Sequence, residues 1–440
     1  MKVAIYTLGC KVNQYESAAI AERFKQRGCE VVGTDDFADI YIINTCTVTA
    51  LADRKSRQYI RRMKKKNPDS AVAVCGCYVQ ISPDDVAAVE GVDIIIGTNE
   101  KAKLVEYVMD FVERRKAAGG SCGRPDVERH VLDYDALCEY VSDGIVENAE
   151  GRTRAYIKIQ EGCNRFCSYC VIPFARGSVR SRDMGEIVTE AQALLEAGYK
   201  EIVLTGINTA LYGIDWDDEL HMHELIGALD ELGGDFRIRL SSLEPTVVNA
   251  SYVKKLLEFD RLCHHLHLSL QSGSDSILKA MNRRHDRSEY LDIVKVLQEA
   301  DLEYGITTDI IVGFPGESDD DFNDSLRMVE EVCFGRVHPF RYSVRPGTKA
   351  AEMEGQISPV VKKQRVEKLS EAGDESSRKF FEKNLGKVRK LLVEEKTGDY
   401  YTGYTDNYIK VYVKEPLEVN EFYDVKLTGL HEDGMTAEKA

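Results

Sequence analysis

Short apolar strands alternate with amphipathic helices along two stretches of the sequence, and this alternation restricts the possible folds more than any other feature. The first stretch, residues 1–116, begins with the strand-like KVAIYTLG and the helix-like NQYESAAIAERFKQRG, and further strands follow in DIYIINT, SAVAVCGC and VDIIIGT. Strands separated by helices run parallel, because each helix carries the chain back to the start of the next strand. We therefore predict an N-terminal parallel-sheet α/β domain.

A second alternation follows an irregular segment. Residues 117–148 contain AAGGSCGRPD and show no hydrophobic period, which is typical of a linker between domains. From residue 149 to residue 378 the strand-like segments are RAYIKIQ, EIVLTG, RIRLSS, HLHLSLQSG, TTDIIVGF and VHPFRYSV. A complete β/α barrel contains eight strand-helix units. The six units of this stretch therefore predict a partial (β/α)6 barrel.

The last part of the chain, residues 379–440, has a different pattern. Its strands are short, and Gly and Asn turns separate them, as in KVRKLLVEEKTGDYYTGYTDNYIKVYV. This composition predicts a small all-β barrel. Its tyrosines are interleaved with lysines, and they include Tyr400, Tyr401, Tyr404, Tyr408 and Tyr412. Such tyrosines usually fill a core or a solvent face, but on small barrels they also stack on nucleic-acid bases.

Three cysteines, Cys163, Cys167 and Cys170, lie in the run EGCNRFCSYC, directly after a strand-like segment. Their C-x3-C-x2-C spacing places three thiolates around one cubic 4Fe-4S cluster and leaves one iron without a protein ligand. A structural zinc site normally has four ligands in paired form, and residues 171–190 contain no second pair of cysteines. We therefore predict a cluster with an open iron, on a loop at the face where β/α arrays carry their active sites.

Three further cysteines follow strands of the first stretch: Cys10 after VAIYTLG, Cys46 after IYIINT and Cys77 after VAVCG. The carboxyl ends of parallel strands share one edge of the sheet, so these thiols are expected to meet there and to hold a second cluster. Three unrelated core cysteines would be the ordinary alternative. Cys75 leaves the third ligand ambiguous, because residues two apart on a strand face the same side. We choose Cys77, which lies nearer the end of the strand.

The charge pattern bears on possible nucleic-acid partners. The formal net charge of −16 argues against a general affinity for nucleic acid, which needs a local excess of Lys and Arg. One such excess exists in ADRKSRQYIRRMKKKN, where Arg54, Arg57, Arg61 and Lys65 recur every three or four residues and line one face of a helix. Most basic helix faces are merely solvated, but the density of this one favours contact with RNA phosphates.

Two arginines just after the C-x3-C-x2-C run, Arg176 and Arg180, are further candidates for phosphate contact, although solvated arginines are the ordinary interpretation.

The cellular compartment is predicted from the hydrophobic pattern and the cysteines. No run of about 18 apolar residues is present to span a membrane, and MKVAIYTLGC turns polar too soon for a signal peptide. Twelve cysteines, six of them in these motifs, favour metal ligation over disulfides. We expect a cytoplasmic protein.

Five motifs occur in a fixed order: TLGCKVNQYES, NTCTVTALADRKSRQYIRR, EGCNRFCSYCVIPFARGSVRSR, LTGINTALYG and HLHLSLQSGSDSILKAMNRRH. With the terminal barrel, they make the whole chain resemble the radical SAM methylthiotransferases, and within them the branch that acts on N6-threonylcarbamoyladenosine in tRNA. The resemblance implies methylthiolation at C2 of that base, next to the anticodon. It also implies S-adenosylmethionine (SAM), two 4Fe-4S clusters, an electron donor such as flavodoxin or ferredoxin, and a TRAM domain that binds tRNA. The source of the inserted sulfur stays open.

The resemblance also implies roles for individual residues. A cluster on Cys163, Cys167 and Cys170 would generate the 5′-deoxyadenosyl radical from SAM, and a second cluster on Cys10, Cys46 and Cys77 would hold the sulfur to be delivered. Candidate contacts to SAM are Gly206, Asn208, Ser241, Glu244 and Gln271 at strand ends of the partial barrel, Gly313 in DIIVGFPGE and Arg283 in MNRRH. Arg283, with Arg284 beside it, would bind the methionine carboxylate. Each of these residues has an alternative role in a turn or a cap.

Other functions remain open at this point. Within the family, the substrate could instead be isopentenyladenosine in tRNA or an aspartate of a ribosomal protein. A function of another class is a non-enzymatic iron-sulfur protein that binds RNA through the basic helix and the small barrel. The C-x3-C-x2-C run followed by LTGIN and DIIVGFPGE argues against pure binding, because binding alone does not need an open iron.

Overall fold

The structure is a computed structural model that describes residues 1–118, 126–137, 139–142, 144, 153–217 and 219–440. The chain divides into two compact units. The first unit comprises Met1–Ala149, Gln160–Arg182 and Ser343–Ala351. The second unit comprises Glu150–Ile159, Asp183–Tyr342 and Glu352–Ala440.

The described part of the first unit contains a six-stranded parallel sheet, as the alternation predicted. Its strands are Lys2–Thr7 (β1), Glu30–Val32 (β2), Ile40–Thr45 (β3), Ala71–Gly76 (β4), Ile94–Ile96 (β5) and Glu128–His130 (β6). Its helices are Lys11–Gln26 (α1), Ala50–Lys66 (α2), Cys77–Ile81 (α3), Pro83–Ala87 (α4) and Leu104–Ala117 (α5), with 3₁₀ turns at Asn99–Lys103 and Tyr134–Ala136. The strand order is β2-β1-β3-β4-β5-β6.

Helices cover both faces of this sheet. Ile42 of β3 points toward α1 and α5, where it joins a buried apolar cluster with Phe24 and Val108. The next residue, Ile43, joins a second cluster with Ile60 on the opposite face, where α2 packs. A parallel sheet that is buried on both sides explains why β4 and the first four residues of β3 are apolar on both faces.

The sequence did not reveal the two edge strands of the sheet. β2 and β6 each contain three residues. β6 lies inside residues 117–148, which we predicted to be a linker, and it pairs in parallel with β5. That part of the predicted linker therefore belongs to the N-terminal sheet. Residues 119–125, 138, 143 and 145–152 lie outside the described residues.

Six strands of the predicted partial barrel are present. They are Arg154–Glu161 (β7), Glu201–Gly206 (β9), Arg237–Leu240 (β10), His265–His267 (β11), Gly305–Val312 (β12) and Arg336–Arg341 (β13). Strands β7, β9 and β10 are neighbours in one sheet, and β11, β12 and β13 form another. Parallel bridges Ile238↔Leu262 and Leu243↔Leu268 join β10 and the loop after it to the segments around β11. The last two residues of β7 belong to the first unit, where they pair with Arg180–Ser181 (β8).

Helices connect these strands. They are Ile172–Arg176 (α6), Met184–Glu196 (α7), Ile214–Asp217 (α8), Met222–Asp230 (α9), Ala250–Leu256 (α10), Asp275–Ala280 (α11), Arg287–Ala300 (α12), Asp319–Val332 (α13), Lys349–Glu352 (α14) and Pro359–Lys383 (α15), with a 3₁₀ turn at Thr209–Leu211. Local sequence fixes several starts. Asp286 caps α12, and Glu289 returns a side-chain contact to the backbone of Asp286. This capping box satisfies two amide donors that the first turn leaves without a helical partner.

The C-terminal strands close into a five-stranded barrel, as predicted. They are Val388–Thr397 (β14), Tyr400–Thr405 (β15), Lys410–Val413 (β16), Phe422–His431 (β17) and Gly434–Lys439 (β18), in the closed order β14-β15-β16-β18-β17. Leu391, Val411 and Val425 are completely buried in its interior, together with Phe380 from α15. The boundary that we placed at residue 379 falls inside α15. The fold class, mixed α/β with a terminal β-barrel, is confirmed.

The rings of Tyr404 and Tyr408 in the C-terminal barrel contact side chains of the partial barrel. The Arg154 guanidinium lies 4.5 Å from the Tyr404 ring centre, and the Arg239 guanidinium lies 4.9 Å from the Tyr408 ring centre. The Tyr408 ring also stacks on His265 at 4.3 Å. These two tyrosines therefore pack the small barrel against β7, β10 and β11, which limits their use as stacking platforms for RNA.

Candidate functional site

Three strand-end loops of the first unit carry Cys10, Cys46 and Cys77. Thr45 at the end of β3 and Gly76 at the end of β4 are register partners, so Cys46 and Cys77 leave adjacent strands at the same level. Thr7 at the end of β1 pairs with Asn44, and Cys10 follows three residues later. The structure thus brings these loops together at one edge of the sheet.

Two glycines allow the loops to approach closely. Gly9 has φ +119°, and a Cβ there would lie 2.8 Å from the Cys46 Cβ and 3.2 Å from its Sγ. Gly76 has φ +101°, and a Cβ there would lie 2.5 Å from the Thr45 carbonyl oxygen. Only glycine combines this backbone conformation with this absence of volume. Both positions therefore serve to pack one cysteine loop against the next.

The thiols of these loops act on one another electrostatically. Burial is the main reason that the pKa of Cys46 is raised to about 12, and the neighbouring thiols of Cys77 and Cys10 raise it further. A group of adjacent sulfur donors that resist ionisation alone is suited to a metal centre, since a bound metal deprotonates its thiol ligands outright. Soft thiolates also select iron-sulfur clusters over hard cations. The donor set therefore fits an iron-sulfur cluster. Of the three cysteines, Cys10 is the one that is exposed to solvent.

The structure separates Cys75 from Cys77. Our expectation that both lie on one strand and face the same side is wrong, because β4 ends at Gly76 and Cys77 begins α3. Cys75 is completely buried in the apolar cluster with Phe24 and Ile42. Burial is the main cause that raises its pKa to about 12. Cys77 is the better candidate for the third ligand.

Arg176 lies beside Cys77, in a buried polar group. Its Nε donates to the Cys77 Sγ at 3.2 Å, and its Nη1 donates to Glu16 and to Glu161, each at 2.5 Å. Its Nη2 donates to the Asn13 Oδ1 at 2.6 Å. Although burial opposes the charged form, Cys77 and the two glutamates hold the pKa of Arg176 well above its ordinary value.

This placement corrects the RNA-binding role that we predicted for Arg176 and Arg180. The side chain of Arg176 is completely buried and that of Arg180 is 2% exposed, so neither reaches a phosphate at the surface. The Arg180 Nη1 donates to the Leu137 carbonyl at 2.6 Å. The buried partners could not be found from the sequence, because Glu16 lies 160 residues from Arg176 and no local pattern pairs Arg176 with Glu161.

The C-x3-C-x2-C loop begins where β7 ends. Gly162 has φ +74°, and a Cβ there would lie 1.7 Å from the Ser178 carbonyl oxygen, so the chain turns tightly against the segment that leads into β8. The Cys163 amide donates to the Gly177 carbonyl at 3.0 Å, and the Cys170 amide donates to the Cys167 carbonyl at 2.9 Å. The three thiols are partly exposed on this loop. Three thiols on a backbone-supported turn fit one cluster with an open iron.

The basic face predicted on residues 54–65 lies on α2. Arg54, Arg61 and Lys65 are exposed, and within the described part of the chain none of them forms an ion pair. Arg57 is half-buried, and its Nη1 donates to the Tyr78 hydroxyl at 2.5 Å. Three of the four predicted cations thus remain available on one helix face, and Arg57 supports the packing of α2 on α3.

In the second unit, Asn208 and Glu244 follow strands β9 and β10, and they form one connected polar group with Arg283, which follows α11. The Asn208 Nδ2 donates to the Glu244 Oε2 at 2.7 Å. The other Glu244 oxygen lies 3.5 Å from the Arg283 Nη1, and both side chains are 6% exposed. Burial is the main cause that lowers the pKa of the adjacent His285 to about 4, and Arg283 lowers it further. A carboxylate next to a guanidinium is complementary to the ammonium and carboxylate of an amino acid.

The remaining predicted SAM contacts lie in different surroundings. Gly206 ends β9, while the Ser241 hydroxyl donates to the Leu204 carbonyl at 2.8 Å and so supports the backbone. Gln271 has φ +68°, in the left-handed region that side chains rarely adopt, and its carbonyl accepts from the Ile311 amide. Gly313 has φ +72°, and the Lys362 side chain occupies the place of a Cβ there. The side chain that lies close against the backbone of Gly313 is therefore that of Lys362.

Comparison with known proteins agrees with this arrangement. The model of the radical SAM superfamily matches residues 157–329, and the uncharacterized protein family UPF0004 matches residues 2–97. The threonylcarbamoyladenosine tRNA methylthiotransferase MtaB of Bacillus subtilis (strain 168) is 41% identical over 419 residues, which cover 94% of this chain and 90% of that protein. The tRNA-2-methylthio-N(6)-dimethylallyladenosine synthase of Clostridium tetani (strain Massachusetts / E88) is 36% identical, and the match covers 96% of this chain and 93% of that protein.

A solved structure extends the comparison to the fold. The radical S-adenosylmethionine methyltransferase TsrM from Kitasatospora setae superposes with a TM-score of 0.59 at 14% identity, over 80% of this chain and 77% of that one. A likeness at this identity concerns the fold alone. It agrees with a radical SAM core built from the β/α units of the partial barrel.

The fold and the sequence matches together define the class of enzyme: this chain belongs to the radical SAM tRNA methylthiotransferases. Membership implies a 4Fe-4S cluster, SAM and a tRNA substrate, and the closed C-terminal barrel fits the TRAM domain that we expected. No helix in the described ranges is long and apolar enough to cross a membrane.

Proposed function

We propose that this enzyme converts N6-threonylcarbamoyladenosine in tRNA to its 2-methylthio derivative, and that it uses two 4Fe-4S clusters. The convergence of Cys10, Cys46 and Cys77 at one sheet edge is the observation that carries the second cluster. For the substrate, support comes from four relatives with the MtaB name, which are 36–41% identical to this chain. Four dimethylallyladenosine synthases are 35–36% identical, so dimethylallyladenosine is the competing substrate.

The chemistry explains why clusters are needed. The C2–H bond of adenine is too weakly acidic for a side-chain base to break, so sulfur insertion requires a radical route that a cofactor supplies. Cys163, Cys167 and Cys170 would hold the cluster that, when reduced, supplies the electron for cleavage of SAM. Cys10, Cys46 and Cys77 would hold the auxiliary cluster. The protein itself contributes positioning, exclusion of water and charge.

The polar group of Asn208, Glu244 and Arg283 in the second unit would bind the amino-acid part of SAM. Glu244 would accept from the ammonium group, and the Arg283 guanidinium would donate to the carboxylate. The contact between Asn208 and Glu244 fixes the orientation of that carboxylate, and its low exposure keeps water from competing for it. Gly206 at the end of β9 and Gln271 after β11 would contact the same ligand through their backbones.

The exposed cations of α2 would bind tRNA phosphates together with the C-terminal barrel. Arg54, Arg61 and Lys65 provide a positive surface on a chain whose total formal charge is −16. Such a local surface is what phosphate contact requires. A reduced flavodoxin or ferredoxin would supply electrons.

We also propose that the chain is divided into domains at residues 1–116, 117–148, 149–378 and 379–440, with β6 assigned to the N-terminal sheet.

The test is nucleoside mass spectrometry of tRNA that bears threonylcarbamoyladenosine, after incubation with the anaerobically reconstituted, reduced protein and SAM. We expect a new 2-methylthio derivative of that nucleoside. Cys163→Ala should abolish both the product and 5′-deoxyadenosine, and Cys77→Ala should abolish the product. Cys75→Ala is the matched control, because Cys75 is a buried thiol two residues away that packs in the core.

The other outcomes separate the parts of the proposal. A parallel reaction with tRNA that bears isopentenyladenosine should give no methylthio product. If that tRNA is modified and the threonylcarbamoyl tRNA is not, the family stands and the substrate assignment fails. If Cys77→Ala keeps full activity while Cys75→Ala loses it, the ligand assignment fails.

A further inference from the structure

Arg176 contacts elements of both cysteine groups in the first unit. Its Nε donates to the Cys77 Sγ, and its Nη1 donates to Glu161, which precedes the glycine before Cys163. Arg176 itself lies in α6, six residues after Cys170. One completely buried guanidinium is thus bonded to a predicted ligand of the auxiliary cluster and to the strand that leads into the C-x3-C-x2-C loop.

Asn13 extends this connection to the other two auxiliary loops. Its Oδ1 accepts from the Arg176 Nη2 at 2.6 Å. Its Nδ2 donates to the Leu8 carbonyl at 2.7 Å, two residues before Cys10, and to the Thr45 carbonyl at 3.0 Å, one residue before Cys46. The three loops that carry Cys10, Cys46 and Cys77 therefore meet at one pair of side chains.

Charges of both signs surround Arg176, and the Arg180 Nη2 lies 4.0 Å from the Glu161 Oε1. Arg176 and Lys101 are cations, Glu16 and Glu161 are carboxylates, and Lys101 forms a buried ion pair with Glu16. Three thiolates and their cluster would add negative charge next to this group. The guanidinium is then the cation that faces the Cys77 sulfur directly, at 3.2 Å.

We propose that Arg176 is a positioning residue of the auxiliary cluster, which donates an N–H···S hydrogen bond to the Cys77 ligand and holds the three cysteine loops in register. Hydrogen bonds to ligand sulfurs and nearby positive charge stabilise the reduced cluster and raise its reduction potential. This inference rests on the proposed function, because it requires that Cys10, Cys46 and Cys77 hold a cluster. It assigns to Arg176 a role in tuning that cluster, in place of RNA binding.

The experiment uses the full chain with Cys163, Cys167 and Cys170 all changed to Ala, so that only the auxiliary cluster remains. Iron content and the midpoint potential, from a redox titration followed by electron paramagnetic resonance, are measured in this parent and in two variants. Arg176→Lys keeps the charge and loses the planar fork, so we expect a shift of the potential to more negative values. Arg176→Gln also loses the charge, and we expect a larger negative shift and less bound iron.

Glu161→Gln is the matched control, because it removes a carboxylate from the same network and leaves the donor to Cys77 in place. We expect its potential to stay at the parent value or to become more positive. If Arg176→Gln does not fold, the double variant Arg176→Gln/Glu161→Gln restores the charge balance, and its potential should still be more negative than that of the parent. Potentials in all Arg176 variants equal to the parent value would overturn the inference.

A further variant of the parent, Cys77→Ala, separates the two proposals. If the parent binds a cluster that Cys77→Ala loses, the auxiliary site stands, and the Arg176 variants alone decide the inference. If the parent binds no iron-sulfur cluster, or if Cys77→Ala retains it, the two-cluster function fails and the inference fails with it.

Discussion

Each of the two units contains a buried group of charged side chains next to a buried cysteine, and the two groups have opposite designs. In the first unit an arginine, Arg176, is central, and it donates to two carboxylates and to Cys77. In the second unit a glutamate, Glu201, is central. It accepts from Arg237 at 2.5 Å and from Arg239 at 2.9 Å. The cysteine beside the second group is Cys263, which is 2% exposed.

The remaining contacts of these groups show what each one does. Arg237 and Arg239 use their other donors on carbonyl groups of Tyr404 and Thr405, in the C-terminal barrel. Arg237 and Arg239 thus link Glu201 on β9 to the C-terminal barrel. Arg176 instead ends on a thiol that has two more thiols nearby. Burial of paired charge by itself does not indicate function, but burial next to converging sulfur donors does.

The largest effect should come from a cysteine of the first unit, and the cysteine beside Glu201 should have none. We expect Cys46→Ala to abolish the methylthio product and to reduce bound iron from about eight to about four atoms per chain, since each cubic cluster contains four irons. Cys263→Ala should leave the iron content unchanged, because burial raises its pKa to about 11 and its neighbours Arg239, Arg237 and Glu201 belong to a structural group. Iron analysis of reconstituted protein measures both. Equal iron loss in the two variants would remove the distinction between the groups.

The next effect concerns stability. Glu201 also lies 3.5 Å from the Arg154 Nε. Glu201→Gln leaves Arg154, Arg237 and Arg239 around a neutral amide, and breaking such a buried pair costs about 3–5 kcal/mol. Urea unfolding should report this loss of free energy, while methylthiolation per folded molecule stays at the original level. The exposed pair of Glu375 and Arg378 gives the control, since Glu375→Gln should leave the unfolding midpoint unchanged. A stable Glu201→Gln protein without activity would instead place Glu201 in the reaction.

The exposed cations of α2 differ from the buried arginines in that they can reach an external phosphate. We expect the triple variant Arg54→Ala/Arg61→Ala/Lys65→Ala to weaken tRNA binding about tenfold, and the slope of log Kd against log salt to fall by about 0.7–0.9 per lost phosphate contact. Lys363→Ala/Lys368→Ala/Lys379→Ala removes the same charge from α15 and serves as the control. Filter binding at several salt concentrations measures both. Equal weakening in the two variants would mean that α2 has no specific role.

The smallest effect should be seen in acid. Although burial opposes ionisation, Arg237, Arg239 and Arg154 hold the pKa of Glu201 well below its ordinary value. Its stabilisation is therefore complete above the unfolded-state pKa of about 4.3 and is lost as the pH falls toward the folded-state value. We expect Glu201→Gln to flatten the decrease of the unfolding free energy below about pH 4. An unchanged acid limb would mean that other carboxylates dominate it.

The features that depend on local pattern could be predicted from the sequence. The parallel sheet, the partial barrel and the terminal barrel follow from hydrophobic period, and the meeting of Cys10, Cys46 and Cys77 follows from the shared edge of parallel strands. The edge strands β2 and β6 were missed because three residues carry too little periodicity. Where β4 ends, between Cys75 and Cys77, depends on the positive φ of Gly76, which the sequence alone does not specify.

Charged residues were harder to place. An arginine is rarely buried unless it is paired, and the partner Glu16 lies 160 residues away from Arg176 in the chain. Arg237 and Arg239 alternate in a strand and would be read as its solvent face. They are buried because Glu201 on β9 and carbonyl groups of the C-terminal barrel lie opposite them. Only the tertiary structure supplies those partners.

The position of Phe380 determines which fragment of this protein can contain a complete barrel core. Phe380 is 3% exposed and belongs to the interior of the C-terminal barrel, yet it is carried by α15, which begins at Pro359. A fragment that starts at residue 387, with β14, lacks this ring and leaves a gap among Leu391, Val411 and Val425. The barrel therefore cannot be transferred by itself: a fusion that places it in another protein would have to include α15.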